Sequence, residues 1–335
     1  MKVLVAGGAG FIGSTIASCL IDVGHQPVIL DNLVTGRREF AEGRPFYQGD
    51  IADQAVLDRI FADHPDISAV VHCAALIVVP ESVTWPIHYY RENVAKTLEL
   101  VDRLIARGVT RLVFSSSASI YQPNDEFSVD ESSALAASSP YARTKLVVEQ
   151  MLTDIAAATP LRVLSLRYFN PIGADPKMRT GPQMPAPSHA LGKLIEAYRH
   201  GVPFRVTGTD YPTRDGSGIR DYVHVWDLAD AHLRALDAFD SLFAAGGRST
   251  VINLGSGTGT TVFELVEAFN RVVDEPVAVE RSPRRPGDQA GAYTRGARAT
   301  ELLGWRPEHS VADGIRDTLA WFAQRDRVLP DLAGL

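Results

Sequence analysis

Short apolar runs alternate along this chain with longer stretches in which apolar residues recur every third or fourth position. The runs at 2–6, 27–30, 69–75, 111–117, 161–170 and 250–257 have the length of buried strands, with glycine or polar residues at their ends. Between the first two, an apolar face at Ile16, Leu20 and Val23 predicts a helix. Helical periodicity also fills 88–107 and 140–158, the second opened by a serine–proline start. Strands that alternate with helices require right-handed crossovers, so the pattern predicts a parallel, doubly wound sheet. After residue 170 the periodicity stops. "NPIGADPKMRTGPQMPAPSH" is a long Pro- and Gly-rich loop, a type of segment that is usually functional in a compact domain. "DYVHVWDLADAHLRALDAF" then reads as strand and helix, and "TVINLGSG" as another buried strand.

Composition removes several classes of function. The formal net charge is −7 over 335 residues, with no basic block, which argues against a nucleic-acid or anionic-membrane partner. The two cysteines, Cys19 and Cys73, lie in apolar runs and read as buried free thiols; they build neither a disulfide framework nor a metal-ligand spacing, so no metal is expected. No apolar run reaches the ~18 residues of a membrane span, and the glycines follow the first residues too soon for a leader, so a cytoplasmic location is expected. Basic residues are mostly arginine. Only five lysines occur (Lys2, Lys96, Lys145, Lys177 and Lys193), which draws notice to Lys145.

Gly7, Gly10 and Gly13 form G-x-x-G-x-x-G directly after a strand and at a helix start, with Phe11 and Ile12 inside the motif. Glycines there permit a tight turn and let backbone N–H groups approach a pyrophosphate at the positive helix end. Asp31 ends the second strand, where a carboxylate accepts from the adenosine ribose and repels a 2′-phosphate; NAD is therefore favoured over NADP. "GDIAD" (49–53) follows the third strand, and Asp50 either meets the adenine edge or caps the next helix. In "SSPYARTKLVVEQ", Tyr141 and Lys145 stand four positions apart and share one helix face. A nearby ammonium favours phenolate over phenol, which makes such a tyrosine a base near neutral pH. Ser116 and Ser117 end the strand "RLVFSSS", at the carboxyl edge where open sheets bind ligands.

These residues, with "GGAGFIG", "LDNL", "GDI", "ESV", "ENV", "VFSSSASIY", "SPYARTKLVVEQ", "LRYFNPIGA", "GTDYPTRDGSGIRDYVHVWDLADAH", "NLGSG" and "RRPGD", resemble the extended short-chain dehydrogenases/reductases, and among them the UDP-galactose (UDP-glucose) 4-epimerases. The likeness runs from Met1 to about Trp305. It implies a Rossmann-type α/β fold, with an NAD-binding domain at 1–172, segments near 221–262 that return to it, and a smaller substrate lobe at 173–330. It implies that Gly7, Gly10, Phe11, Ile12, Gly13, Asp31, Asn32, Asp50, Ile51, Ala74, Asn93, Ser115, Tyr141, Lys145 and Tyr168 hold NAD. Ser117, Tyr141 and Lys145 would be catalytic: Tyr141 takes the proton from the sugar O4, Ser117 hydrogen-bonds O4, and Lys145 lowers the tyrosine pKa. Asn170, His189, Arg220, Tyr222, Arg285, Asp288 and Ala292, together with Ser117 and Tyr141, would hold a UDP-sugar. A homodimer built through helices 91–107 and 141–158 is the further implication.

The chain departs from that pattern in several places. Ile77 replaces the usual lysine near the cofactor diphosphate, and Gln122 and Pro123 replace a usual glycine. "SHALG" (188–192) puts His189, Ala190 and Gly192 at the uracil end, with Thr207 in place of a frequent Phe. Ala292 stands where strict hexose epimerases carry Tyr, which makes room for a 2-acetamido group unless Tyr293 slips into that space. A dehydratase of the same fold needs an acid–base pair where this chain has Ala118 and Ser119. A decarboxylase needs a carboxylate clamp, for which the long loop offers only Lys193 or Arg179. An NAD-sensing protein without activity usually lacks the Tyr or the Lys, and both are present.

Overall fold

Each predicted apolar run forms a strand in the computed structural model, which describes residues 1–122, 124–187, 189–284 and 289–332. The first half runs β1 (Lys2–Ala6), α1 (Phe11–Asp22), β2 (Gln26–Asp31), β3 (Phe46–Gln48), α2 (Gln54–Asp63), β4 (Ile67–His72), α3 (Val79–Thr84), α4 (Pro86–Tyr90), α5 (Lys96–Ala106), β5 (Arg111–Ser117), β6 (Ser128–Val129), α6 (Pro140–Ala158) and β7 (Arg162–Tyr168). The second half runs β8 (Asn170–Ile172), α7 (Ala190–His200), β9 (Phe204–Thr207), β10 (Ile219–His224), α8 (Val225–Asp237), α9 (Phe239–Leu242), β11 (Ser249–Leu254), β12 (Gly259–Thr261), α10 (Val262–Asn270), β13 (Val279–Ser282), β14 (Tyr293–Thr294), α11 (Arg298–Leu303) and α12 (Val311–Val328).

Seven strands make one parallel sheet in the order β3-β2-β1-β4-β5-β7-β11. Strand alternation divides its side chains between two layers. Val3 and Val5 of β1 face Ile16, Leu20, Leu228, Ala235 and Leu303, while Leu4 and Ala6 face Leu57, Leu100, Leu104, Val148 and Leu152. These β1 residues are completely buried, and each large aliphatic side chain so placed contributes about 1.5–3 kcal/mol. β11 closes one edge of the sheet, and α8 and α11 pack into the layer that holds α1, so residues after the long loop return to the first lobe. A separate core of Leu194, Ile195, Phe204, Val206, Leu265, Phe269 and Ile315 lies beside the small sheet β12-β10-β8.

The loop after β8 is pinned by α12. The Trp321 indole donates to the Pro182 carbonyl at 3.0 Å, and a Cβ at Gly181 would lie 2.5 Å from its ring. Two local expectations change and one gains a detail. Val23 caps α1 at its C-terminus and is 52% exposed, so the apolar face ends at Leu20. The stretch 88–107 is helical as expected up to Ala106, but a π-turn at Arg91–Ala95 lies between α4 and α5 and joins them without a break. The cap of α2 is Asp53, which accepts from Ala55 and Val56, and not Asp50. Among the described residues, no helix is long and apolar enough to cross a membrane.

Candidate active site

Strand order reverses between β1 and β4, and the carboxyl ends of these strands open a crevice there. Gly7 leaves β1 at φ +79°, and a Cβ on it would lie 2.5 Å from the Ala74 nitrogen; only glycine allows so close an approach. Gly13, inside α1, faces the same turn. Gly10 is the N-cap of α1, whose first turn has neither a side-chain cap nor an acidic residue. Phe11 and Ile12 thus begin a helix whose positive end is free to take an anionic diphosphate. Across the turn, the Asp31 carboxylate accepts from the Ala9 nitrogen at 3.0 Å and the Leu33 nitrogen at 2.8 Å. Burial pushes the Asp31 pKa up, and these two bonds oppose the rise. Asn32 turns outward and accepts from Val34. Asp50 accepts from Lys96 Nζ at 2.6 Å and from the Ala52 nitrogen at 2.9 Å, next to buried Ile51. The uncapped helix end, the turn closed against Ala74 and the fixed carboxylate fit a dinucleotide.

Tyr141 and Lys145 lie in the first turns of α6, which Ser139 caps by accepting from Ala142 at 3.1 Å, with Pro140 at the first position. Lys145 Nζ donates to the Ser115 carbonyl at 2.7 Å and lies 4.9 Å from the Phe114 ring centre. Burial pushes its pKa down to about 8, while Cys73 and Glu149 oppose the fall. Burial pushes the Tyr141 phenol up, and a hydrogen bond with Ser117 lowers it. So Ser117, Tyr141 and Lys145 meet at the carboxyl edge of β5. The Ser117 hydroxyl acts against the rise of the phenol.

Asn93 sits in the π-turn with its amide fully engaged. Its Oδ1 accepts from the Leu76 nitrogen at 2.8 Å, and its Nδ2 donates to the Leu76 carbonyl at 3.0 Å and to Thr144 Oγ1 at 3.1 Å. It ties the loop after β4 to α6. The Tyr168 hydroxyl lies 2.8 Å from Ser115 Oγ and is hydrogen-bonded to His232. His232 Nδ1 donates to the Leu228 carbonyl at 2.7 Å, and its pKa is pushed down by burial to about 4, so Nε2 is the acceptor for Tyr168. Ile77, in the lysine position, is exposed.

On the substrate side, Asn170 and Tyr222 are register partners on β8 and β10. The Tyr222 hydroxyl is buried with no hydrogen-bond partner among the described residues, and burial pushes its pKa to about 12. Arg220 Nη1 donates to the carbonyls of Ile219 at 2.7 Å and Ala290 at 2.6 Å, which holds the chain at Gly291 (φ +111°), just before half-buried Ala292. Tyr293 lies in β14 against β6, and a Cβ at Gly259 would come within 2.5 Å of its ring. The Tyr293 ring therefore covers β12. His189 is the exposed N-cap residue of α7, and its side chain makes no cap bond. Thr207 ends β9 opposite Ser282. Arg285, Asp288 and Pro123 lie outside the described residues.

Arg179 is bound by Asp22 and Asp175, and Lys193 by Glu196 at 2.7 Å, so neither is free to clamp a substrate carboxylate. Ala118 and Ser119 form a short turn after β5 and offer no acid–base pair. Among the described residues, no group of three His, Cys, Asp or Glu side chains is placed to hold a metal. Sequence reasoning overlooked a buried cluster behind the site: Glu149 takes two bonds from Arg167 and one from Ser116. Its signal was available, because 141, 145 and 149 are successive i+4 positions on one helix face.

Residues 3–255 match the profile described as the NAD dependent epimerase/dehydratase family. A UDP-glucose 4-epimerase of Rhizobium leguminosarum bv. trifolii is 42% identical over 328 residues, covering 97% of this chain and 98% of that one. The crystal structure of the UDP-glucose 4-epimerase from Stenotrophomonas maltophila, with bound NAD and formylated UDP-arabinopyranose, is 38% identical. It superposes with a TM-score of 0.91 over 98% of this chain and 99% of that one. The UDP-Glc/GlcNAc 4-epimerase of Campylobacter jejuni is 32% identical, with a TM-score of 0.80 over 96% of this chain and 99% of that one.

Proposed function

The chain belongs to the NAD-dependent epimerase/dehydratase family, and from that premise we propose that it interconverts UDP-glucose and UDP-galactose through a transient 4-keto sugar. The convergence of Tyr141, Lys145 and Ser117 beside the glycine turn carries the reading. NAD⁺, when bound, supplies first the acceptor and then the donor of the C4 hydride, and its positive ring adds to Lys145 in favouring the phenolate. Tyr141 takes the O4 proton while Ser117 hydrogen-bonds that oxygen. Once the ketose has turned over in the pocket, Tyr141 returns the proton to O4, so nothing is gained or lost overall. Gly7, Gly10, Phe11, Ile12, Gly13, Asp31, Asn32, Asp50, Ile51, Ala74, Asn93, Ser115 and Tyr168 would hold the cofactor, together with Tyr141 and Lys145. Asn170, Arg220, Tyr222 and Arg285 would hold the nucleotide diphosphate and its ribose, with Asp288 accepting from ribose hydroxyls, and His189 would lie at the base. Residues 1–172 form the cofactor domain, segments near 221–262 and α11 return to it, and the rest of 173–330 forms the substrate lobe.

The pocket also accepts N-acetylated UDP-hexoses. What supports this is the small Ala292, with the Tyr293 ring packed instead over Gly259. The enzyme works as a cytoplasmic homodimer. Support comes from the outer face of α4 and α5, where Ile87 is 68% and Leu98 45% exposed, with Tyr90 beside them. Light scattering of the purified protein checks the dimer. Proton NMR of the anomeric signals with UDP-glucose, and separately with UDP-N-acetylglucosamine, tests the activity. Conversion of both is expected. If neither reacts while NAD stays bound, the proposal fails.

A further inference from the structure

Glu149 lies one turn beyond Lys145 on α6, almost completely buried, and is paired with Arg167 of β7, which is as deeply buried. Arg167 donates to it twice, from Nε at 3.0 Å and from Nη2 at 2.6 Å, and Ser116 Oγ completes the set. Arg167 Nη1 also donates to the Tyr121 hydroxyl at 2.7 Å, and Tyr121 donates to Asn253 at 2.7 Å. One buried carboxylate thus joins α6, β5 and β7, with β11 reached through Tyr121.

The position of Ser116 gives this cluster its consequence. Its neighbour on one side, Ser115, offers the carbonyl that receives Lys145; its neighbour on the other, Ser117, is close enough to Tyr141 to lower the phenol pKa and shares a 2.9 Å hydrogen bond with Ser119. A clamp on Ser116 therefore sets the aim of both catalytic side chains. The titratable groups around Lys145 are His72 and Cys73 at the end of β4, Tyr141 and Glu149 on α6, and Tyr168 on β7. Burial pushes Cys73 up to about 11 and His72 down to about 3, so both are uncharged at neutral pH, and Tyr168 is held protonated well above its ordinary value. Glu149 is the one carboxylate in this group.

We propose that Glu149 is a positioning residue of this active site, which fixes the β5 edge through Ser116 and, as an anion one helical turn away, supports the Lys145 ammonium. The proposal rests on the epimerase reading only for its kinetic arm. Removing the charge leaves the Arg167 cation buried and unpaired on the same side of the helix, an arrangement that disfavours a second ammonium nearby.

The test compares the wild type, Glu149→Gln and Ser116→Ala. With five lysines in the chain, the ε-carbon resonance of Lys145 in lysine-labelled protein is assigned by its loss in Lys145→Met and then titrated. In Glu149→Gln the midpoint falls below that of the wild type, the direction that loss of a nearby anion gives. In the same variant kcat drops about tenfold or more, with KM within about twofold, the pattern of lost alignment without lost binding. Ser116→Ala keeps the charge and leaves the midpoint in place, but lowers kcat several-fold. A wild-type titration midpoint in folded Glu149→Gln overturns the charge argument. Wild-type kcat in Ser116→Ala overturns the clamp, and this variant decides the matter if Glu149→Gln does not fold. A wild type that fails to turn over UDP-glucose refutes the epimerase reading, and the titration still decides the role of Glu149.

Discussion

Replacing Gly13 by alanine isolates what the glycine turn does. Gly13 has an ordinary helical backbone, so the substitution introduces no strain of its own. The added methyl would lie 3.0 Å from the Gly7 carbonyl carbon and 3.0 Å from Gly8 Cα, with the Gly7 oxygen closer still. Favourable carbon contacts begin near ~3.5 Å, so the turn and the helix must separate by at least about 0.5 Å. Neither side yields easily. Ile16 and Leu20 hold α1 to the sheet without exposure, and the Gly7 turn is closed against Ala74. Forced overpacking of this kind costs about 1–3 kcal/mol. Each kcal/mol lowers a melting midpoint by about 2–4 °C in domains somewhat smaller than this chain, so a fall of several degrees is expected. If the same distortion is spent at the helix end that holds the diphosphate, it weakens NAD binding by roughly 5- to 150-fold. The assay is NAD released per chain on denaturation, together with the melting midpoint. Gly10→Ala is the control: its methyl meets only the Gly7 oxygen at 3.5 Å, so its fold melts near the wild type. Gly13→Ala protein that keeps wild-type NAD content and an unchanged midpoint would refute this reasoning.

Other expectations are as direct. Asp31→Ser removes the carboxylate that repels a 2′-phosphate, so the preference for NAD over NADP, read by fluorescence titration, narrows at least about tenfold. Ala292→Tyr narrows the pocket: turnover of UDP-N-acetylglucosamine falls more than that of UDP-glucose, and equal losses would count against the small-residue argument. His72 is buried and neutral, with its pKa pushed down to about 3 from the ordinary 6.5. The unfolded chain binds that proton first, so the stability tied to neutral His72 is complete above pH 6.5 and drains away as pH falls toward 3. His232, held near 4, acts in the same direction. Melting midpoints measured from pH 7 to 4 fall for the wild type, and the fall is shallower in His72→Leu; parallel curves would exclude His72 as a source.

The central sheet was legible because each of its buried strands is a short apolar run flanked by glycine or polar residues, as in "RLVFSSS" for β5. The chemistry was legible where spacing and element coincide, as with Tyr141 and Lys145 on one face of α6. The small strands β8, β9, β12 and β13 were not, since three or four residues carry no periodicity. The π-turn at Arg91–Ala95 also escaped, because its i→i+5 bonds sit inside a continuous helical run and leave the apolar pattern of 88–107 little changed. That turn sets Asn93 against Leu76 and Thr144, so the partners of its amide depend on geometry that residue order does not encode. Asp50 and Asp53 are equally plausible caps in "GDIAD"; only the backbone bonds distinguish them.

The most direct test follows the hydrogen itself. UDP-glucose carrying deuterium at C4 is incubated with the purified protein, and the UDP-galactose formed is examined by proton NMR and mass spectrometry. The account predicts that UDP-galactose appears with the label still at C4, since the hydride leaves one face and returns to the other within a closed pocket. UDP-galactose with the label washed out, or no UDP-galactose from protein that retains NAD, would contradict it.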